Sequence, residues 1–212
     1  MGIAIGIDLG GSKLAAGLVA PDATVKSFTV SPRPADPDTM VTEPLRVVAA
    51  LKSSDVVAVG VGIGGLVADG VLTWGPNIPG EGIDYSQAIE SAVELPVIVD
   101  NEVNLAAYAE AVSGAAVGFA SVLMVTIGTG IGAGIVIDGR IYRGAGYAGE
   151  AGHINVHPGG RRCSCGQQGC WEAYASGRRL DELARTEART HPAGMVARLA
   201  GGRYAAGEHA LT

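Results

Sequence analysis

Apolar residues recur along this chain in short runs, each closed by a glycine-rich or acidic turn. IAIGID, Ile3 to Asp8, reads as a buried strand. LAAGLVA and TVKSFTV follow after short turns, so the start predicts three antiparallel strands. A loop rich in Pro and Asp, SPRPADPD, leads to an amphipathic helical pattern from about Thr39 to Leu51. VVAVGVGI, Val56 to Ile63, predicts a strongly buried strand. GGLVADGVLTW predicts a turn and a hairpin around Asp69-Gly70. Helical spacing returns from Tyr85 to Val93, LPVIVD reads as a strand, and NLAAYAEAV reads as a helix.

The plan then repeats. SVLMVTIG predicts a buried strand, GTGIGAG a glycine turn, and AGIVIDGRIY a hairpin with Asp138-Gly139 at its tip. Two lobes with related starts are expected, residues 1–113 and 114–212, divided near Gly114. From Ser176 the sequence is Ala- and Arg-rich and helical, and it reaches Thr212 without returning to a strand, so the second lobe reads as incomplete.

Composition narrows the class. The 212 residues are 48% hydrophobic and 17% charged, enough for a sizeable core and unlike a disordered chain. With 33 glycines, many turns and close backbone approaches are expected. The net charge of −6 and the absence of any basic cluster beyond Arg161-Arg162 and Arg178-Arg179 argue against nucleic acid as a direct partner. The start, MGIAIGIDLGG, reads as a strand and not as a signal peptide, and no apolar run is long enough to span a bilayer. A cytoplasmic protein with no membrane partner is expected.

Four motifs carry candidate chemistry. In IDLGGSK a strand ends on Asp8, and Gly10, Gly11 and Ser12 form a tight turn whose backbone N–H groups suit a phosphate. Lys13 adds charge there, and Asp8 suits a magnesium ion held through water. An ordinary hairpin turn explains that stretch as well. TIGTGIGAG is a second such turn, with hydroxyls at Thr126 and Thr129, and two matched turns suit one polyphosphate better than one does. In GHINVHPGGRRCSCGQQGCWE, Cys163, Cys165 and Cys170 stand close to His153 and His157. Three thiols and one imidazole suit a closed, structural tetrahedral zinc site, with either histidine as the fourth ligand. Finally, Asp100, Glu102, Glu150 and Glu172, with Asn77, Asn101 and Asn104, form a set of carboxylates and amides suited to a polyhydroxyl ligand. A helix cap or first-turn acid is the plainer account of Glu102 and Asn104.

Together these residues resemble the ROK family of sugar kinases and sugar-responsive repressors, which is similar to bacterial glucokinases of the actin-like ATPase superfamily. The resemblance runs from Ile3 to about Arg179, and its most specific piece is GEAGHINVHPGGRRCSCGQQGCWEAYASG. It implies an α/β, two-lobe, actin-like (ribonuclease H-like) fold with the second lobe incomplete. It implies a structural zinc on His153, Cys163, Cys165 and Cys170. It implies sugar contacts from Gly65, Asn77, Asn101, Glu150, His153 and Glu172. ATP phosphates would face Gly10, Gly11, Ser12, Lys13, Gly128, Thr129 and Gly130, with Mg²⁺ near Asp8. Family kinases usually read acid-Asn-Asp at the strand end, the last residue being the base; here Asp100-Asn101-Glu102 puts a glutamate there.

The activity implied is ATP-dependent phosphorylation of a hexose or amino-hexose, with Glu102 as base, in a homo-oligomer. Family members usually continue into a strand-loop that holds adenosine, and this chain is expected to stop before it. The rival is a sugar-binding sensor of the repressor branch. Only two residues precede Ile3, so the DNA-binding module of that branch is expected to be absent.

Overall fold

The computed structural model describes residues 2–75 and 78–201. By compactness the chain divides into two units. One comprises Met1–Val125 with Ala133–Gly149, the other Thr126–Gly132 with the residues from Glu150 on.

The first unit is built on a mixed five-stranded sheet. Strands β1 (Ile3–Leu9), β2 (Lys13–Val19) and β3 (Val25–Pro32) run antiparallel, as the opening pattern predicts. β4 (Val56–Ile63) pairs parallel to β1, and β7 (Val97–Asn101) pairs parallel to β4, giving the order β3-β2-β1-β4-β7. Between them lie helix α1 (Pro37–Leu51), the hairpin β5 (Leu66–Ala68) and β6 (Val71–Trp74), and helix α2 (Tyr85–Val93). α1 starts before Thr39, the expected position. Asp36 caps it in a reciprocal pair with Thr39, and Pro37, which has no N–H to lose, fits its first turn. Asp69 and Gly70 both take positive φ, the requirement of the tight hairpin between β5 and β6.

Alternation along the parallel strands sorts the two faces of the sheet. Ile5, Ile7 and Leu9 of β1 and Val59, Val61 and Ile63 of β4 enter one apolar core with Met40, Val48, Tyr85 and Ile89. The opposite face carries Gly6 and Asp8 of β1 and Gly60 and Gly62 of β4. Those small residues leave room for helix α3 (Glu102–Ser113), and Gly62 lies directly beneath its first residue: a methyl at Gly62 would stand 3.1 Å from Glu102 Cα.

The second strand–turn–strand repeat forms a three-stranded sheet, order β10-β9-β8, from β8 (Ser121–Ile127), β9 (Ile131–Ile137) and β10 (Arg140–Ile141). The division expected near Gly114 follows that repeat, whereas compactness divides the chain elsewhere. Gly134 of β9 lies against α3, where a methyl would stand 2.5 Å from Ala107 Cβ, so most of β9 and β10 belongs with the first unit.

In the second unit a single 3₁₀ turn, Ala151–His153, opens the cysteine-bearing segment. The helices α4 (Glu172–Ala175), α5 (Gly177–Thr190) and α6 (Met195–Leu199) follow, and the buried Ser176 caps α5 through the Arg179 N–H. The helical reading of the segment from Ser176 holds through Leu199. Among the described residues, no helix is long and apolar enough to cross a membrane.

Candidate functional site

In the first unit, chemistry gathers where the parallel strands end. Asp8, Gly62 and Asp100 are in register across β1, β4 and β7, so Asp8 and Asp100 stand two strands apart, about 10 Å. The carboxyl ends of parallel strands are the usual place for ligands in α/β sheets. Asn101 is the N-cap of α3: its Oδ1 accepts from the Val103 and Asn104 N–H groups at 2.9 and 3.1 Å. Its Nδ2 donates to the Gly65 carbonyl at 3.0 Å and to Glu102 Oε2 at 2.7 Å. Glu102 is a first-turn acid, a position worth roughly 0.3–1 kcal/mol to the helix. Its other oxygen lies toward Gly64, where a methyl would be 3.5 Å from Oε1.

Asp100 is engaged quite differently. It is buried, its Oδ1 accepts from the Asn101 N–H at 2.7 Å and the Asn104 side chain at 3.2 Å, and its Oδ2 is paired with the Arg143 guanidinium. Gly65 turns the chain from β4 into the hairpin with φ +148°, and a methyl there would be 2.6 Å from the Trp74 carbonyl. Asn77 lies outside the described residues.

The first glycine turn joins β1 to β2. The Gly10 N–H donates to the Lys13 carbonyl at 3.0 Å, and Gly11, Ser12 and Lys13 are exposed. Burial raises the pKa of the Asp8 carboxyl above the ordinary carboxylate value, with Lys13 pulling it the other way. Sequence reading missed Arg33, whose N–H and Nε donate to the Ser12 and Gly11 carbonyls, both at 3.1 Å. It also missed Arg143. Neither stands in a motif: each acts on a partner far along the chain, 22 residues away for Arg33 and Gly11 and 43 for Arg143 and Asp100.

In the second unit His153, Cys163, Cys165 and Cys170 converge, with all donor atoms within 4.8 Å of one another. Cys163 Sγ is 3.7 Å from His153 Nδ1, and Cys165 Sγ is 3.7 Å from Cys170 Sγ. Zn–S bonds of about 2.3 Å at tetrahedral angles set sulfur atoms about 3.8 Å apart, so the donor set fits Zn²⁺. His157 is not in this group; its ring packs against Tyr174 at 5.8 Å. With His153 Nδ1 on the sulfur side, Nε2 faces Glu150 Oε2 at 3.7 Å. Burial and the nearby Glu172 charge raise the Glu150 carboxyl above its ordinary pKa, with His153 opposing them. Burial and the neighbouring thiols push the Cys170 thiol up to about 12 when no metal is bound.

Glu172 is buried and lies within this unit on the second glycine turn. Its Oε2 accepts from the Ile131 N–H at 2.9 Å, and its Oε1 faces Ser164 Oγ at 3.4 Å and Cys163 Sγ at 4.0 Å. Within that turn the Gly128 N–H donates to the Gly130 carbonyl at 2.9 Å, and Gly128 and Thr129 are exposed.

The mixed sheet and the second strand–turn–strand repeat that follows it match the actin-like ATPase fold of solved ROK sugar kinases. Within that class the chain belongs to the ROK family, whose pattern matches residues 4–208. It is similar to a glucokinase of Streptomyces coelicolor, 39% identical over 196 residues covering 91% of this chain and 62% of that protein. It is similar in structure to a ROK family glucokinase from Streptomyces griseus in complex with glucose and AMPPNP. The TM-score is 0.85 and the identity 40%, over 91% of this chain and 63% of that one. A xylose repressor of Bacillus subtilis is 38% identical over 133 residues, 62% of this chain and 35% of the repressor. The chain thus spans about three-fifths of the length of those two glucokinases.

Proposed function

We propose that this chain provides the sugar-phosphorylating machinery of a ROK kinase, transferring the γ-phosphoryl group of ATP to a primary hydroxyl of a hexose or amino-hexose. The observation that carries the reading is Glu102. It is a carboxylate at the end of a parallel strand, on the sheet face that also bears Asp8, with one oxygen oriented by Asn101. Glu102 takes the hydroxyl proton as the sugar oxygen attacks the γ-phosphorus in line, and ADP leaves with the electron pair of the broken P–O bond. Glutamate reaches one methylene further than the aspartate usual in the family. Here its Oε2 accepts from the Asn101 side-chain amide at 2.7 Å.

Gly65, Asn77 and Asn101, with Glu150, His153 and Glu172, are the groups proposed to meet sugar hydroxyls. The N–H groups and side chains of Gly10, Gly11, Ser12 and Lys13, with those of Gly128, Thr129 and Gly130, are proposed to receive phosphate oxygens. Asp8 would hold Mg²⁺, which supplies charge neutralisation at the phosphates. His153, Cys163, Cys165 and Cys170 would hold Zn²⁺, which fixes the His153 ring and leaves Nε2 for hydrogen bonding.

The reading is tested by ADP release over a panel of hexoses and amino-hexoses with metal-loaded protein. Sugar-dependent turnover is expected, abolished in Glu102→Gln and retained in part in Glu102→Asp. Folded, zinc-loaded protein without sugar-dependent turnover would sink the kinase reading. The similarity to xylose repressors favours one alternative, a sugar-binding sensor. Calorimetry separates the two: a sensor binds sugar with no response to ATP.

A further inference from the structure

The second glycine turn sits on a strand hairpin, yet compactness groups Thr126–Gly132 with the metal-binding segment and not with the rest of its own strands. The reason is a set of backbone attachments. Glu172 Oε2 holds the Ile131 N–H at 2.9 Å. The Gly177 N–H donates to the Gly128 carbonyl at 2.8 Å. Gly130 and Gly152 are packed so closely that a methyl at either would overlap Glu172 Oε2 or the Ile131 carbonyl. Glu172 is 5% exposed, and it closes the link at its other end by accepting at Oε1 from Ser164 Oγ at 3.4 Å, on the residue between Cys163 and Cys165. Separating this buried side chain from either partner would leave a polar atom away from water without a hydrogen bond, so the two sides are held together by that cost.

We propose that Glu172 is a positioning residue that braces the second glycine turn against the metal segment, so that the conformation of the turn depends on the metal. The brace stands on these bonds alone. Its consequence for ATP rests on the kinase reading, which places phosphate oxygens at Gly128 to Gly130. A role confined to sugar hydroxyls would leave the turn indifferent to the metal.

Amide hydrogen exchange measures the brace directly, with Ile131 as the reporter and Val61 of β4 as the internal standard. In Glu172→Ala, and in wild-type protein stripped of metal by a chelator, Ile131 exchange is expected to rise about tenfold while Val61 stays within about twofold. Zinc re-addition restores the wild-type protein. Glu172→Gln, which keeps an oxygen acceptor for Ile131, is expected to stay within about threefold of wild type. An unchanged Ile131 rate in Glu172→Ala overturns the proposal. If that variant does not fold, an unchanged rate in chelated wild type overturns it equally. A parallel rise in the KM for ATP supports both the brace and the phosphate assignment. Faster exchange with an unmoved KM supports the brace and removes the phosphate role from the turn.

Discussion

At the scale of single residues, the strand end Asp100-Asn101-Glu102 shows how neighbours of similar chemistry divide their work. Asp100 is buried and tied to Arg143, Asn101 caps the helix and orients Glu102, and Glu102 begins the helix. All three letters were legible as a polar cluster, and the capping account of Glu102 is also true of it. What the letters did not carry was Arg143, because an ion pair between residues 43 apart depends on how strands register. Gly62 is a second residue of this kind. A methyl there would stand 3.1 and 3.2 Å from Glu102 Cα and Cβ, so Gly62→Ala must push the helix start by a few tenths of an ångström. Turnover in Gly62→Ala is expected to fall roughly tenfold with the thermal midpoint nearly kept, read by steady-state kinetics beside calorimetry. Asp8 gives a pH prediction. Its folded pKa is raised by burial, so the native state binds its proton more tightly than the unfolded chain does. Stability therefore falls as pH rises from the ordinary carboxylate value through the raised one. Asp8→Asn is expected to remove that decline and to melt higher than wild type at neutral pH while losing Mg²⁺-dependent turnover. Melting curves from pH 3 to 8 check the sign.

At the scale of elements, the strands and helices were largely written in the hydrophobic pattern. β1 to β4, the two Asp-Gly hairpins and α2 all fall where spacing and turn chemistry put them. The start of α1 was not, because Pro37 reads as a breaker in isolation and becomes a good first-turn residue only once Asp36 caps the helix. The element pair that matters most for Glu102 is β7 with α3, joined by Asp100 through the Asn104 side chain, while Arg143, just beyond β10, holds the other Asp100 oxygen. Arg143→Met leaves a buried carboxylate short of a partner and is expected to cost roughly 1–3 kcal/mol in denaturant unfolding. The same variant is expected to lower kcat more than it raises the sugar KM, since Asp100 also holds the Asn104 side chain of the helix start that carries the proposed base. Arg143→Lys should recover part of both losses. A variant with unchanged kcat would show that the pair supports folding alone.

At the scale of the whole molecule, the two units depend on different physics. The first holds an extensive apolar core beneath its five-stranded sheet. Among the described residues of the second the buried apolar groups are few, and the Cys and His cluster stands among them. Small cores of that kind gain most from a metal. About one zinc per chain is expected by elemental analysis, and Cys163→Ser is expected to lose it. Chelation should lower the melting of the second unit and leave exchange in the β1–β4–β7 sheet untouched. The sequence by itself determined the element order, both glycine turns and the clustered thiols of Cys163, Cys165 and Cys170, while spacing left His153 and His157 open as their partner and the fold brought His153 to them. Element order, turns and thiols are each a local matter of periodicity, turn residues or ligand spacing within a short segment. Only the tertiary structure decided that Asp100 is bound to an arginine, that Arg33 braces the first turn, and that Glu172 holds the second one. Those contacts join residues 22 to 43 positions apart, and their partners are chosen by strand register and burial, which no local pattern encodes.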